Sequence, residues 1–134
     1  MILGIDPGAR RVGVAVADLE TRFARPVEVI DAKDTDVAAR VSQLVTELGV
    51  ERIVVGRPVG LSGNAGAAVD RQQELLAALR GACDVEIVEY DERLTTVMAD
   101  RALRAAGRST RQTRTIKDAV AAQILLQGYL DATR

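Results

Sequence analysis

Through Ile30 the chain reads as short strands, the second in strict alternation, and beyond it helical and strand periods take turns. That switch constrains the fold more than any other feature, because strands send successive side chains to opposite faces whereas helices repeat every 3.6 residues. Met1 to Asp6 predicts a short buried strand, and Pro7-Gly8-Ala9-Arg10 a turn. Arg11 to Asp18 carries Val12, Val14 and Val16 in strict alternation. Phe23 to Ile30 predicts a third strand, in which Pro26 marks a bulge or an edge position. Three strands joined by short turns make an antiparallel meander.

Val37, Val41, Leu44, Val45 and Leu48 then recur at helical spacing, with Asp34 or Thr35 as N-cap and Gly49 as the stop. Arg52 to Gly56 predicts a buried strand running into a glycine-rich loop, Arg57 to Gly66. A helix over Ala67 to Leu79, a strand over Val85 to Tyr90 and a helix over Thr95 to Ala106 follow. Gly107 to Thr115 reads as a loop and Ile116 to Leu130 as the last helix. The order βββ-α-β-α-β-α-α implies an α/β protein with a mixed five-stranded sheet flanked by helices.

A chain of 134 residues fits one domain, spanning residues 1–134, and needs no disulfide to stabilise its core. The lone Cys83 has no internal partner. The start lacks a basic leader with an apolar stretch, and no run approaches the ~20 apolar residues that span a bilayer, so a cytoplasmic protein without membrane contact is expected.

Composition narrows the chemistry. There is no histidine, so a metal would be held by oxygen ligands, which favours magnesium or manganese. Phe23, Tyr90 and Tyr129 are the only aromatics, which argues against a module that grips single strands by base stacking. With a net charge of -1, nucleic-acid binding must come from local clusters of basic residues.

Three places carry candidate carboxylates, and singly each has an ordinary explanation. Asp6 precedes Pro7-Gly8, a common way to leave a strand. It would also be a carboxylate at the end of a very apolar strand, where a cation is needed to offset burial. Asp91 and Glu92 end a strand as an acidic pair beside Arg93; Val88, Tyr90 and Glu92 share one face and Asp91 takes the other, without indicating which face is the site. Thr115-Ile-Lys-Asp118 has capping-box spacing, so Asp118 reads equally as a cap or a ligand. Ala119, Ala121 and Ala122 would let that helix approach the sheet and bring Asp118 near the strand ends. Clustered carboxylates repel one another unless a divalent ion is bound, and two ions about 4 Å apart can activate water for phosphodiester hydrolysis.

Basic residues complete the pattern. Arg101, Arg104, Arg108, Arg111, Arg114 and Lys117 follow one another with no acid between them. A solvated helix face accounts for Arg101 and Arg104, whereas an arginine-rich loop before Asp118 suits phosphate contacts, with Ser109, Thr110 and Thr113 as further donors. Arg10 and Arg11 in the first turn, and Arg57 and Arg93 at strand ends, extend the candidate nucleic-acid contacts.

Four segments together resemble the YqgF-type family, described as Holliday-junction resolvases and as pre-16S rRNA nucleases. They are Gly4 to Asp18, Ile53-Val-Val-Gly-Arg-Pro58, Asp91-Glu-Arg-Leu-Thr-Thr96 and Lys117-Asp118 opening an apolar helix. The resemblance covers nearly the whole chain. It implies a ribonuclease H-like fold and a metal site of Asp6, Glu92 and Asp118, and so selects Glu92 over Asp91. It further implies trimming of the 16S rRNA precursor at its 5′ end, with resolution of branched DNA as the older assignment, while the donor chemistry above points to two magnesium or manganese ions. Ribosomal particles are possible partners under this resemblance, and the protein is expected as a monomer or weak homodimer. The chain departs from the family at Arg10, often Lys, at Arg57, often aliphatic, and at Tyr90, where His is common.

Two readings from other classes compete. Sugar-kinase and actin-like ATPases also open with an Asp-x-Gly hairpin, but they need a second lobe for which this chain has no room. A non-catalytic RNA-binding assembly factor could retain the carboxylates around a structural ion. Low aromatic content favours recognition of backbone shape over base identity, which suits structured RNA and a DNA junction alike.

Overall fold

A computed structural model describes residues 1–8, 10–57, 65–91 and 110–133, excluding the side chains of 65–69, 91 and 110–117. The meander consists of β1 (Ile2–Asp6), β2 (Arg11–Ala17) and β3 (Ala24–Asp31). It is followed by α1 (Val37–Leu48), β4 (Arg52–Arg57), α2 (Ala65–Ala82), β5 (Glu86–Asp91) and α3 (Thr110–Ala132). The strands form one five-stranded sheet in the order β3-β2-β1-β4-β5. β2 pairs antiparallel with β1 and β3, while β4 runs parallel to β1 and β5. The expected mixed sheet is therefore present, with β1 at its centre. The helix expected over Thr95 to Ala106 lies outside the described residues.

Strand periodicity sorts the core into two halves. Leu3, Ile5, Val12, Val14, Val16, Ile53 and Val55 pack on one face with Val41 and Leu44 of α1 and Leu76 and Leu79 of α2. Ile2, Ala15, Ala17, Ala24 and Val54 pack on the other with Ala122, Leu126, Tyr129 and Leu130 of α3. Pro26 lies on edge strand β3, where the register shifts between Val14 and Ala15, so both of its expected positions are realised.

Local details correct two expectations and bear out a third. The N-cap of α1 is Asp36, whose carboxylate accepts from Ala39 N at 3.2 Å. Asp34 and Thr35 are not caps because their amides donate to the Asp31 carbonyl and close the preceding turn. Gly49 ends α1 in the left-handed region at φ 64°, as the stop signal requires. Helix α2 starts at Ala65, earlier than expected, since alanines around Gly66 favour the helix.

The largest correction concerns α3. The loop expected over Gly107 to Thr115 is helical from Thr110, so Arg111 and Arg114 stand on the helix. No Gly or Pro interrupts residues 110–117, and a helix nucleated by its packed apolar half extends through such a stretch at little cost. Asp118 is consequently the ninth residue of α3 rather than part of its first turn. Capping therefore does not explain it.

Candidate metal centre

Asp6 closes the central strand, and its cross-strand partner in β2 is Gly13. Ile2 belongs to the α3-facing half of the core and a Cβ on Gly4 would meet Leu126, so Asp6 shares the parity that faces α3. Arg11, Gly13, Ala15 and Ala17 share that face from β2.

Gly13 determines how close the helix comes. A Cβ there would fall within the envelope of the Asp118 carbonyl oxygen and lie 3.3 Å from the Ala122 Cβ. The backbone of α3 at Asp118 thus rests directly on the strand beside Asp6, as the alanines after Asp118 led one to expect. The structure brings Asp6 and Asp118 together at the end of the central strand. A glycine inside an alternating strand is a known sign of close backbone approach, so Gly13 was a signal available in the sequence.

The far half of α3 is fastened by side chains that periodicity does not reveal. Gln127 Oε1 accepts from Ala24 N at 2.9 Å, while its Nε2 donates to the Arg22 carbonyl at 2.9 Å. Gln123 Nε2 donates to the Ala24 carbonyl at 3.1 Å, and the Arg22 guanidinium donates to the Leu130 carbonyl. Arg22 takes a left-handed φ of 59° in the turn between β2 and β3. At this end Tyr129 meets Tyr90 edge-to-face, with ring centroids 5.8 Å apart, and accepts from Arg52 at 3.0 Å. Attraction to Tyr129, ahead of Glu86, holds the Arg52 guanidinium above its ordinary pKa. These contacts set the register of the helix that carries Asp118.

Around the acids, Arg11 Nε lies 3.6 Å from Asp118 Oδ2, with both side chains 31% exposed. Arg10 is largely exposed and pairs with Asp31 at 3.8 Å. Arg57 ends β4 on the parity of Ile53 and Val55, facing away from α3, in register with Asp91. Arg111, Arg114 and Lys117 lie on α3 before Asp118, outside the side-chain description. Glu92, Arg93 and Arg108 lie outside the described residues. β5 ends at Asp91, two strands from β1 on the same edge, which at ~4.8 Å per strand is roughly 10 Å across the sheet.

Among the described residues no three acids, cysteines or histidines converge. The donor set nevertheless suits a hard cation: two partly exposed acids lie on one face at the end of the central strand, and a guanidinium sits against one of them.

The architecture is that of the ribonuclease H-like resolvases. Thermus thermophilus RuvC in complex with a Holliday junction superposes with a TM-score of 0.61 at 23% identity, over 98% of this chain and 94% of that one. The fowlpox virus resolvase, also with Holliday junction DNA, gives 0.59 at 11% identity, over 98% and 97%. These likenesses establish the fold.

Residues 1–132 match the family described as "RuvX: Holliday junction resolvase", and the chain belongs to that family. It is 45% identical over 137 residues to the Chloroflexus aggregans "Putative pre-16S rRNA nuclease", covering 99% of this chain and 94% of that protein. Proteins of the same name from Ruminiclostridium cellulolyticum and Bacillus cytotoxicus are 36% and 37% identical, with this chain covered to 97% and 98% and theirs to 93% and 98%. The chain is thus an enzyme, a nuclease acting on phosphodiester bonds.

Proposed function

We propose that residues 1–134 form one divalent-metal-dependent nuclease domain that processes the 5′ end of pre-16S rRNA during ribosome biogenesis. Asp6, Glu92 and Asp118 are its metal ligands. The observation that carries the reading is the packing of Asp118 against Gly13, the strand partner of Asp6, which joins two carboxylates distant in sequence. Glu92 completes the set because it has the sequence parity of Tyr90, whose ring packs on α3. With no histidine in the chain, magnesium or manganese fits the all-oxygen donors.

When bound, such ions supply an activated water and stabilise the leaving oxygen. The chain's own residues position the phosphodiester. Arg10 is exposed beside the site, and Arg111, Arg114 and Lys117 lead along α3 toward Asp118. With Arg93 and Arg108 they offer a basic approach for the backbone of a structured nucleic acid in a chain of net charge -1, whereas Arg57 lies on the opposite face of the sheet. The names of the relatives support pre-16S rRNA as substrate. The family description supports a four-way DNA junction as the second substrate to test.

The test is cleavage of end-labelled pre-16S rRNA 5′ fragments and, separately, of a four-way DNA junction, with magnesium or manganese. RNA cleavage should be lost in Asp118→Asn while RNA binding persists. Junction-only cleavage would retain the metal site and reassign the substrate. Equal cleavage by Asp118→Asn and the unmodified protein would remove Asp118 from the site.

A further inference from the structure

We infer that Arg11 holds the place of the divalent ion: its guanidinium neutralises Asp118 in the metal-free protein, yields that carboxylate to the ion, and then pairs with the phosphodiester. The inference rests on the metal-site reading above and adds a role to one of its residues.

The geometry distinguishes the fixed partner from the movable one. Asp118 is carried by a helix whose backbone is seated on Gly13 and whose far half is fastened through Gln123 and Gln127. Its carboxylate therefore has little freedom to leave. Arg11 begins β2 on the same face, so its long side chain lies along that surface with its Nε 3.6 Å from Asp118 Oδ2. Both side chains are about one-third exposed, and ion pairs at such positions exchange with modest loss.

Charge then determines the sequence of events. A guanidinium and a divalent ion against one carboxylate repel each other, so the two compete for it. A lysine could relieve that repulsion by losing its proton, but arginine keeps its charge throughout the accessible pH range. Movement is the remaining route. The displaced guanidinium stays tethered at the start of β2, within a side chain's reach of the site, and its planar fork is suited to paired phosphate oxygens. Arg10 does not share this role, since it faces Asp31 at 3.8 Å rather than Asp118.

The experiment is calorimetric titration of Mn2+ into the full chain at low salt without nucleic acid, comparing the unmodified protein with Arg11→Gln, Arg11→Lys and Asp118→Asn. Arg11→Gln should bind Mn2+ roughly threefold to fivefold more tightly, the range expected for loss of a competing exposed ion pair. Arg11→Lys, whose competing charge can be shed with its proton, should bind between the unmodified protein and Arg11→Gln, and Asp118→Asn should lose binding. Thermal unfolding gives a second readout. In chelator Arg11→Gln should melt below the unmodified protein, and the gap should close as Mn2+ saturates both. Despite its tighter ion, Arg11→Gln should cleave nucleic acid more slowly.

Unchanged or weaker Mn2+ binding by Arg11→Gln, with binding still lost in Asp118→Asn, overturns this inference and leaves the metal site standing. Mn2+ binding that is absent from the unmodified protein, or unaffected by Asp118→Asn, overturns the metal site itself. Tighter binding with undiminished cleavage removes the phosphate role and leaves only the competition.

Discussion

On the sheet face that meets α1 and α2, β1 and β2 present Leu3, Ile5, Val12, Val14 and Val16; on the face that meets α3 they present Gly4, Gly13, Ala15 and Ala17, with Ile2 the branched exception at the far end. The first set is branched and fills space between layers through side chains. The second is small, so a helix backbone can lie directly on the strands. The contrast assigns different work to the two faces of the same strands. Branched packing supplies most of the burial that stabilises a domain of this size. Small-residue packing yields less apolar area, but it fixes the distance between Asp118 and the central strand. Catalytic groups gain from such backbone-level placement because displacement by about 1 Å can cost ~100-fold in rate.

The comparison can be broken most severely at Gly13. Gly13→Ala adds a Cβ where the Asp118 carbonyl oxygen stands, so α3 must lift from the sheet. Cleavage should fall by ~100-fold, with Mn2+ binding weakened in parallel. Retention of both would show that the close approach does not position Asp118. A deletion on the other face should separate stability from activity. Leu76→Ala, at a fully buried position on α2, should lower unfolding stability by about 3 kcal/mol in denaturant titration. Cleavage per folded molecule should be unchanged, and a matching loss of activity would refute the division of labour.

The smallest effect sharpens the comparison through Cys83, which packs against the branched half of the core. Burial pushes its thiol up from the ordinary range by disfavouring the thiolate. Alkylation of the folded protein should therefore lag that of a free thiol near pH 8 and approach it only at higher pH. Leu76→Ala should accelerate it by loosening that face, whereas Gly13→Ala should leave it nearly unchanged.

Much of this was legible along the chain because the relevant physics is local. Val12, Val14 and Val16 mark β2 through a period set by the backbone, and Gly49 marks the end of α1 through its tolerance of positive φ. The start of α3 was not legible. Residues 110–117 carry few apolar side chains, so no periodicity shows there, and the helix extends through them from a packed segment further along. The cap of α1 was misplaced by one or two residues because Asp34, Thr35 and Asp36 are all chemically able to cap, and hydrogen bonds to Asp31 decide among them.

The sequence by itself determined the order of the described elements, the mixed character of the sheet and a chain without histidine, and it offered the candidate acids. Those properties depend on residue type and on neighbours within a few positions. Tertiary structure alone decided that β1 lies at the centre, that Asp6 faces α3, and that Arg11 sits against Asp118. Gly13 and Asp118 are more than a hundred residues apart, and no local preference links them. Only the absence of a side chain at one position lets the backbone carrying the other come to rest there.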